Sequence, residues 1–289
     1  MKKVILLLST VLIASAQLYS QWVTQSASGE HHSVFAINSS TVYVSGLGGR
    51  ILKSTNSGNN WVILRERSGQ YLNAIWFLNE STGICVGGGS TLSSPGIILR
   101  TTNGGNNWDS TIISGTNFLT MYFVNAATGF AGGTTNVNLN SHLYKTTNAG
   151  INWTLVPLNY KGAITDIYFL NENTGWAFAD SMTYTATAVI KTTDGGNTWK
   201  YKGTPFPYYW SESISFVNEN TGWATGRMSG VPVDCLKKTT DGGVTWFFQY
   251  PQNAPTAIFC QYFINENTGW MRIQNSEDNK WRHKLVYPI

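Results

Sequence analysis

A short phrase that returns at an almost fixed spacing constrains this chain more than any other feature. The clearest copies are 191–199 (KTTDGGNTW) and 239–246 (TTDGGVTW). Drifted copies keep a polar bend and a closing tryptophan, and they occupy 54–61, 101–108 and 146–153. The closing tryptophans are separated by 47, 45, 46 and 47 residues. A period in this range indicates a repeated supersecondary unit.

Each copy of the phrase predicts a tight turn. Asp194 and Asp241 are each followed by two glycines, which tolerate positive φ. We expect the carboxylate to accept hydrogen bonds from backbone N–H groups two residues further on. Asn56, Asn103 and Asn148 offer an amide oxygen at the same position in the drifted copies. The tryptophan after the turn is expected to open the next strand and to pack on the neighbouring sheet.

A second phrase lies upstream of each turn and repeats with the same period. It occupies 169–176 (FLNENTGW), 216–223 (FVNENTGW) and 263–270 (FINENTGW), with drifted versions at 77–84 and 123–130. An apolar strand, an Asn-Thr-Gly turn and an aromatic-led strand predict a hairpin. Two hairpins in each period give four strands. Such sheets, repeated about every 40 to 50 residues, are typical of the blades of an all-β propeller.

These phrases carry a family resemblance. TTDGGNTW and TTDGGVTW resemble the Asp-box, or bacterial neuraminidase repeat, and the combined phrases resemble the photosystem II stability/assembly-factor-like β-propeller family. The resemblance implies chaperone-like contact with a membrane-protein partner during assembly. It also implies a structural role for the Asp-box residues, which here are Asp194, Gly196, Trp199, Asp241, Gly243 and Trp246.

The first residues predict export. Lys2 and Lys3 precede the apolar run 4–14, and Ala-Ser-Ala at 14–16 fits a cleavage site, so 1–16 is expected to be a signal peptide. The mature chain, 17–289, would be a single propeller domain in the periplasm or outside the cell. Cleavage lowers the formal charge from +4 by two, which favours neither a nucleic-acid nor a membrane surface. No later segment is apolar enough to span a bilayer.

The two ends of the mature chain complement each other. The segment from Gln21 to Gly29, which contains Trp22, resembles 60–69, the last strand of a unit and the link beyond it. The final unit offers only three strands, at 257–264, 269–274 and 280–287. Pairing the leading segment with this unit would close a ring of six four-stranded antiparallel blades and leave no open edge.

Candidate binding residues lie on the face opposite the repeated turns, where the loops differ between units. Asp166 is the only charged residue at its position on the inner strands, and it would bind a cation or a sugar hydroxyl, or else be a solvated or hydrogen-bonded aspartate. Tyr208, Tyr209 and Trp210 would form a platform for a glycan ring or a peptide, or pack over blade edges.

The basic residues and the cysteines each have two interpretations. A basic patch for an acidic partner, or simply solvated surface, is expected at Arg50, Arg65, Arg67 and Arg227, together with Lys161. The three cysteines are expected to be buried thiols, or to include a Cys235–Cys260 disulfide. The spacing contains no metal motif, so neither a metal nor another cofactor is expected.

A glycan-active enzyme is the alternative function. A glycosidase needs two carboxylates that face each other across the scissile bond, and the candidates are Asp166, Asp180, Glu212 and Asp234. A sialidase would also want an Arg-Ile-Pro phrase near the start, but the first arginine is Arg50. The sequence therefore favours a monomeric, non-catalytic scaffold that binds a protein or a glycan.

Overall fold

A computed structural model describes residues 30–89, 94–135, 140–180, 187–206, 211–226, 235–249, 257–274 and 281–286. These residues form six antiparallel sheets with their strands in chain order, five of four strands and one of three. None of these segments forms a helix with the length and apolarity needed to cross a membrane. The predicted all-β architecture of four-stranded blades is confirmed. Closure of a six-bladed ring by the segment from Trp22 to Gly29 lies outside the described residues and stays a prediction.

The first three sheets cover the N-terminal half of the described chain. Sheet 1 contains β1 (His31–Ala36), β2 (Val42–Gly46), β3 (Ile51–Ser54) and β4 (Val62–Arg65). Sheet 2 contains β5 (Gln70–Phe77), β6 (Gly83–Gly89), β7 (Gly96–Thr101) and β8 (Asp109–Ile113). Sheet 3 contains β9 (Thr116–Phe123), β10 (Gly129–Thr135), β11 (Ser141–Thr146) and β12 (Thr154–Val156).

The remaining sheets follow the same plan. Sheet 4 contains β13 (Ala163–Phe169), β14 (Gly175–Asp180), β15 (Thr187–Thr192) and β16 (Lys200–Gly203). Sheet 5 contains β17 (Ser211–Phe216), β18 (Gly222–Gly226), β19 (Cys235–Thr239) and β20 (Phe247–Phe248). Sheet 6 contains β21 (Ala257–Asn265), β22 (Thr268–Gln274) and β23 (Trp281–Val286). The three strands expected in the final unit are therefore present.

The first strand of each sheet contacts the first strand of the next, and we call these six strands the inner strands. The two kinds of turn meet at one end of each of the first five sheets. The Gly195 N–H donates to Asn173 O at 3.0 Å, and the Gly242 N–H donates to Asn220 O at 2.9 Å. The expected repeat face is thus confirmed. The opposite end carries the loops that differ between units, and we call it the variable face.

The recurring phenylalanine explains why its phrase repeats. Phe216 stacks on Trp176 of the preceding sheet at 3.7 Å between ring centroids, and it meets Trp246 of its own sheet edge-on at 6.2 Å. Phe169 is held in the same way, with Trp199 edge-on at 5.8 Å. Each phenylalanine therefore fills the space between two sheets, while the Asp-box tryptophan closes one side. Aromatic pairs in such geometries add about 0.5–1.5 kcal/mol beyond the area that they bury.

A basic residue ties the Asp-box turns of sheets 2, 3 and 4 to the sheet before each of them, which the sequence analysis missed. Lys145 Nζ donates to Gly195 O and Asn197 Oδ1, both at 2.8 Å, and lies 5.7 Å from the centroid of Phe130. Arg100 Nε donates to Ala149 O at 3.0 Å in the preceding pair of sheets. The signal was available, because a basic residue stands directly before every phrase: Lys53, Arg100, Lys145, Lys191 and Lys238.

Candidate functional site

The Asp-box turns are closed by hydrogen bonds around their aspartates. Asp194 Oδ1 accepts the N–H groups of Asn197 at 3.0 Å and Thr198 at 2.9 Å, and Oδ2 accepts the Thr198 hydroxyl at 2.6 Å. The Gly196 N–H donates instead to Thr192 Oγ1 at 2.8 Å. The expected bond two residues further on was therefore wrong. The carboxylate reaches three and four residues ahead, because a threonine hydroxyl satisfies the nearer N–H group.

These bonds determine the electrostatics of the turn. Burial opposes ionisation of Asp194, but the hydrogen bonds from Thr198, Thr192 and Asn197 outweigh it and lower its pKa to about 2. The second intact turn behaves alike, and its Trp246 indole donates to Gly243 O at 3.0 Å. The Asp-box residues thus use their polar groups inside the turn, which agrees with the structural role expected for them.

A groove of about 650 Å³ opens on the variable face between sheets 1 and 2. Its lining consists of Glu30, Leu47, Gly48, Arg50, Glu66, Ser68, Gly69 and Tyr71. Arg50 donates from Nε and Nη2 to Glu66 Oε1, each at 2.7 Å, and both side chains remain partly accessible. Ligand pockets commonly enclose about 300–1,000 Å³. The groove therefore has the size of a ligand site, and one predicted arginine lies in it.

The other arginines of the expected basic patch differ in their roles. Arg65 donates from Nη1 to Gly49 O at 2.7 Å and from Nη2 to Gln70 Oε1 at 2.6 Å, and burial lowers its pKa. It holds the wall of the groove in place, and Arg50 is ion-paired. Arg67 lies in the link between sheets 1 and 2, and its backbone N–H donates to Gly48 O at 2.8 Å. The positive charge expected here is thus largely committed within the protein.

Asp166 joins two sheets. Its Oδ2 accepts the Ile214 N–H of β17 at 2.8 Å, and its Oδ1 accepts the N–H of Ile167 at 2.9 Å. Ser33 plays the same part at the equivalent position of sheet 1, where its hydroxyl accepts the Ile75 N–H at 3.2 Å. Burial raises the Asp166 pKa to about 6 despite these bonds. Both oxygens serve the fold, so internal hydrogen bonding, one of the two alternatives for this residue, describes its position.

Asp180 lies at the same junction between sheets 4 and 5. It is 2% exposed, its Oδ1 accepts the Thr187 hydroxyl at 3.2 Å, and its Oδ2 accepts the Ser211 N–H at 3.0 Å. Burial raises its pKa to about 6. Asp180 therefore binds the first residue of β17 from sheet 4, and Asp166 binds the middle of the same strand. A pair of glycosidase carboxylates would instead face an open cleft.

The inner strands bulge at a common level, which the sequence analysis also missed. The register of the first two strands shifts there in all six sheets. A bulge redirects a side chain. The residues at the bulges of the first five sheets include His32, Asn73, Leu119, Thr165 and Glu212. His32 Nδ1 lies 2.9 Å from Asn73 Oδ1, so adjacent bulges touch. The available signal was that this position, four before the recurring phenylalanine, differs in every unit.

Several of the predicted site residues lie outside the described part of the chain. The aromatic platform and one arginine, together with one candidate carboxylate, lie outside the described residues: Tyr208, Tyr209, Trp210, Arg227 and Asp234. The Cys260 side chain also lies outside them, so the disulfide stays a prediction. Cys85 is a buried thiol whose pKa burial raises to about 12. In the part of the chain that is described, no three His, Cys, Asp or Glu side chains group so as to hold a metal ion.

Residues 145–249 match the family model described as photosynthesis system II assembly factor YCF48. No curated protein sequence matches the chain significantly. Among solved structures, YCF48 bound to D1 peptide is 14% identical, with a TM-score of 0.46, over 92% of this chain and 96% of that one.

Two enzymes resemble the chain in fold. An ancestral GH74 enzyme is 18% identical with a TM-score of 0.60, over 88% of this chain and 40% of the enzyme. A Hadza microbial sialidase is 12% identical with a TM-score of 0.53, over 88% of this chain and 65% of the sialidase. The chain thus spans less than two thirds of either enzyme. At such low identity the likeness concerns the β-propeller fold alone.

Proposed function

Since residues 145–249 resemble the photosynthesis system II assembly factor family, we propose that this chain is a non-catalytic, exported β-propeller that binds a segment of a partner protein. The observation that carries the proposal is the groove between sheets 1 and 2, which the variable loops build on a rigid frame. Loops held in this way are where binding sites concentrate. Export rests on the predicted signal peptide at 1–16.

The groove combines the groups that an extended peptide needs. Leu47 is 37% exposed and Tyr71 lies beside it, so an apolar side chain of the partner has a surface to cover. Arg50 and Glu66 are paired and accessible, so they offer both a donor and an acceptor at the rim. An apolar centre with polar groups around it is the usual anatomy of a protein interface.

Site-specific photo-crosslinking tests the proposal. A photoreactive amino acid at Ser68, in the groove, should crosslink the mature protein to one defined partner in its own envelope fraction. The matched control position is Asn106, which is exposed in an Asp-box turn on the repeat face. Crosslinking from Ser68 should weaken when Leu47 is changed to Ser. Equal products from both positions, or none from Ser68, would overturn the proposal.

A glycan-active enzyme is the second candidate, and the fold likeness to GH74 and sialidase propellers is what favours it. The same purified protein should be assayed on a panel of oligosaccharides. Turnover that is abolished by Glu212→Gln would replace the binding proposal. We expect no turnover, because Asp166 and Asp180 spend their carboxylate oxygens on donors within the fold.

A further inference from the structure

Most inner strands carry an aromatic side chain at one shared position, directly before the position of the recurring phenylalanine. We call these residues the aromatic wall: Phe35, Trp76, Tyr122, Tyr168 and Tyr262. Neighbouring rings are in contact, with centroid distances of 5.2 Å from Phe35 to Trp76, 5.3 Å from Trp76 to Tyr122 and 6.1 Å from Tyr122 to Tyr168. Four sheets in succession therefore contribute to one continuous surface.

The tyrosines of distant sheets interact electrostatically with one another. Burial, followed by interactions with Tyr122 and Tyr262, raises the pKa of Tyr168 to about 12. Tyr262 belongs to sheet 6 and is 57% exposed, yet it also acts on Tyr122 of sheet 3. Its hydroxyl therefore lies within electrostatic range of the hydroxyls of the other two. A ligand on the wall would meet aromatic side chains from several sheets.

A negative charge lies beside the wall. Burial raises the pKa of Tyr122, and interactions with Tyr262 and Asp166 also raise it, so the Asp166 carboxylate lies within electrostatic range of the Tyr122 hydroxyl. In the described segments the only salt bridge joins Arg50 to Glu66, so Asp166 has no ion-pair partner among them. The faces of aromatic rings carry partial negative charge and attract cations. Both features thus favour a positive group in this space.

We propose that the aromatic wall binds an organic cation, an ammonium or a guanidinium group, through its ring faces and the nearby charge of Asp166. The group belongs either to a small free cation or to a lysine or arginine side chain of a partner. This inference does not rest on the groove between sheets 1 and 2, because no residue of the wall lines that groove. Either proposal can fail while the other stands.

Ligand-observed NMR on the mature protein tests the inference with matched pairs of probes. Tetramethylammonium is compared with tert-butanol, and acetyl-arginine amide is compared with acetyl-citrulline amide. At least one cation should bind about tenfold more tightly than its uncharged counterpart, as expected for a partly desolvated cation–π site. Binding of the first pair alone would indicate a small free cation. Binding of the second pair alone would indicate a side chain.

Variants separate this site from general surface binding. Tyr262→Leu should weaken the preferred cation about three- to tenfold, because one ring face is lost. The control is Tyr201→Leu, which removes a tyrosine of similar exposure, 54%, from outer strand β16 and should leave binding unchanged. Asp166→Asn should lower the preference for the charged probe. Equal binding of charged and uncharged probes, or equal effects of Tyr262→Leu and Tyr201→Leu, would overturn the inference.

Discussion

Replacement of Asp180 by asparagine should change how the stability of this protein depends on pH. The carboxylate is buried between sheets 4 and 5, where it accepts bonds from Thr187 and Ser211. Asparagine keeps an oxygen for the Ser211 N–H and presents an NH₂ group to the Thr187 hydroxyl, which also accepts hydrogen bonds. The substitution therefore removes the charge and retains the shape. Asp166 is less suitable, because both of its oxygens face backbone N–H groups.

The sign and size of the effect follow from the raised pKa. Burial moves the pKa of Asp180 from 3.8 to about 6 in the folded protein, so the folded state holds the proton more tightly than the unfolded state. The associated stability is fully present below pH ~3.8 and is lost as the pH rises through ~6. A shift of about two pKa units corresponds to ~3 kcal/mol. The pKa of Asp166 is also raised to about 6, so the wild-type protein carries a second contribution of the same sign.

Urea denaturation followed by tryptophan fluorescence, from pH 4 to 7.5, measures this effect. Relative to wild type, Asp180→Asn should gain about 2.5 kcal/mol in unfolding free energy between pH 4 and pH 7, slightly less than the full shift because the unfolded carboxyl is already partly ionised at pH 4. Asp109→Asn, which removes an exposed carboxylate from β8, should run parallel to wild type. If Asp180→Asn also ran parallel, the reasoning about a buried charge would be refuted.

Three further outcomes are expected. Hydrogen bonds lower the pKa of Asp241 to about 2 against the effect of burial, so stability is lost as the pH falls from ~4 through ~2. Asp241→Asn should therefore reduce the difference between the urea midpoints measured at pH 5 and pH 3. Gly196→Ala would place its Cβ against the ring of Phe130 at φ +77°, so it should lower the unfolding free energy measured in urea by ~3 kcal/mol or more. The control Gly115→Ala, at φ +72° with nothing within 4 Å of the new Cβ, should lower it by only ~1 kcal/mol. Lys145→Met loses two hydrogen bonds to the next sheet and should cost ~1 kcal/mol in thermal denaturation, against no change for the exposed Lys200→Met.

The repeat made the architecture predictable. Turn chemistry and alternating apolar residues are local properties, so the phrases at 169–176 and 191–199 were enough to predict two hairpins in each unit. The strands expected at 257–264 and 269–274 differ from β21 and β22 by only one residue at one end. Even the wrong detail of the Asp-box was local, since the threonine that takes the Gly196 N–H lies within the same phrase.

What the sequence alone determined is the unit, its turns and the face on which those turns lie, because each depends on residues that are neighbours in the chain. Only the tertiary structure decided the partners of the candidate site residues. Asp166 bonds to a residue 48 positions away, and Arg50 pairs with Glu66 across the link between two sheets. Side chains alternate between the two faces of a strand, but the sequence does not show which face is which, and a bulge on each inner strand shifts the alternation by one residue. Whether a carboxylate faces a ligand or the next sheet therefore depends on the packing of six sheets against one another.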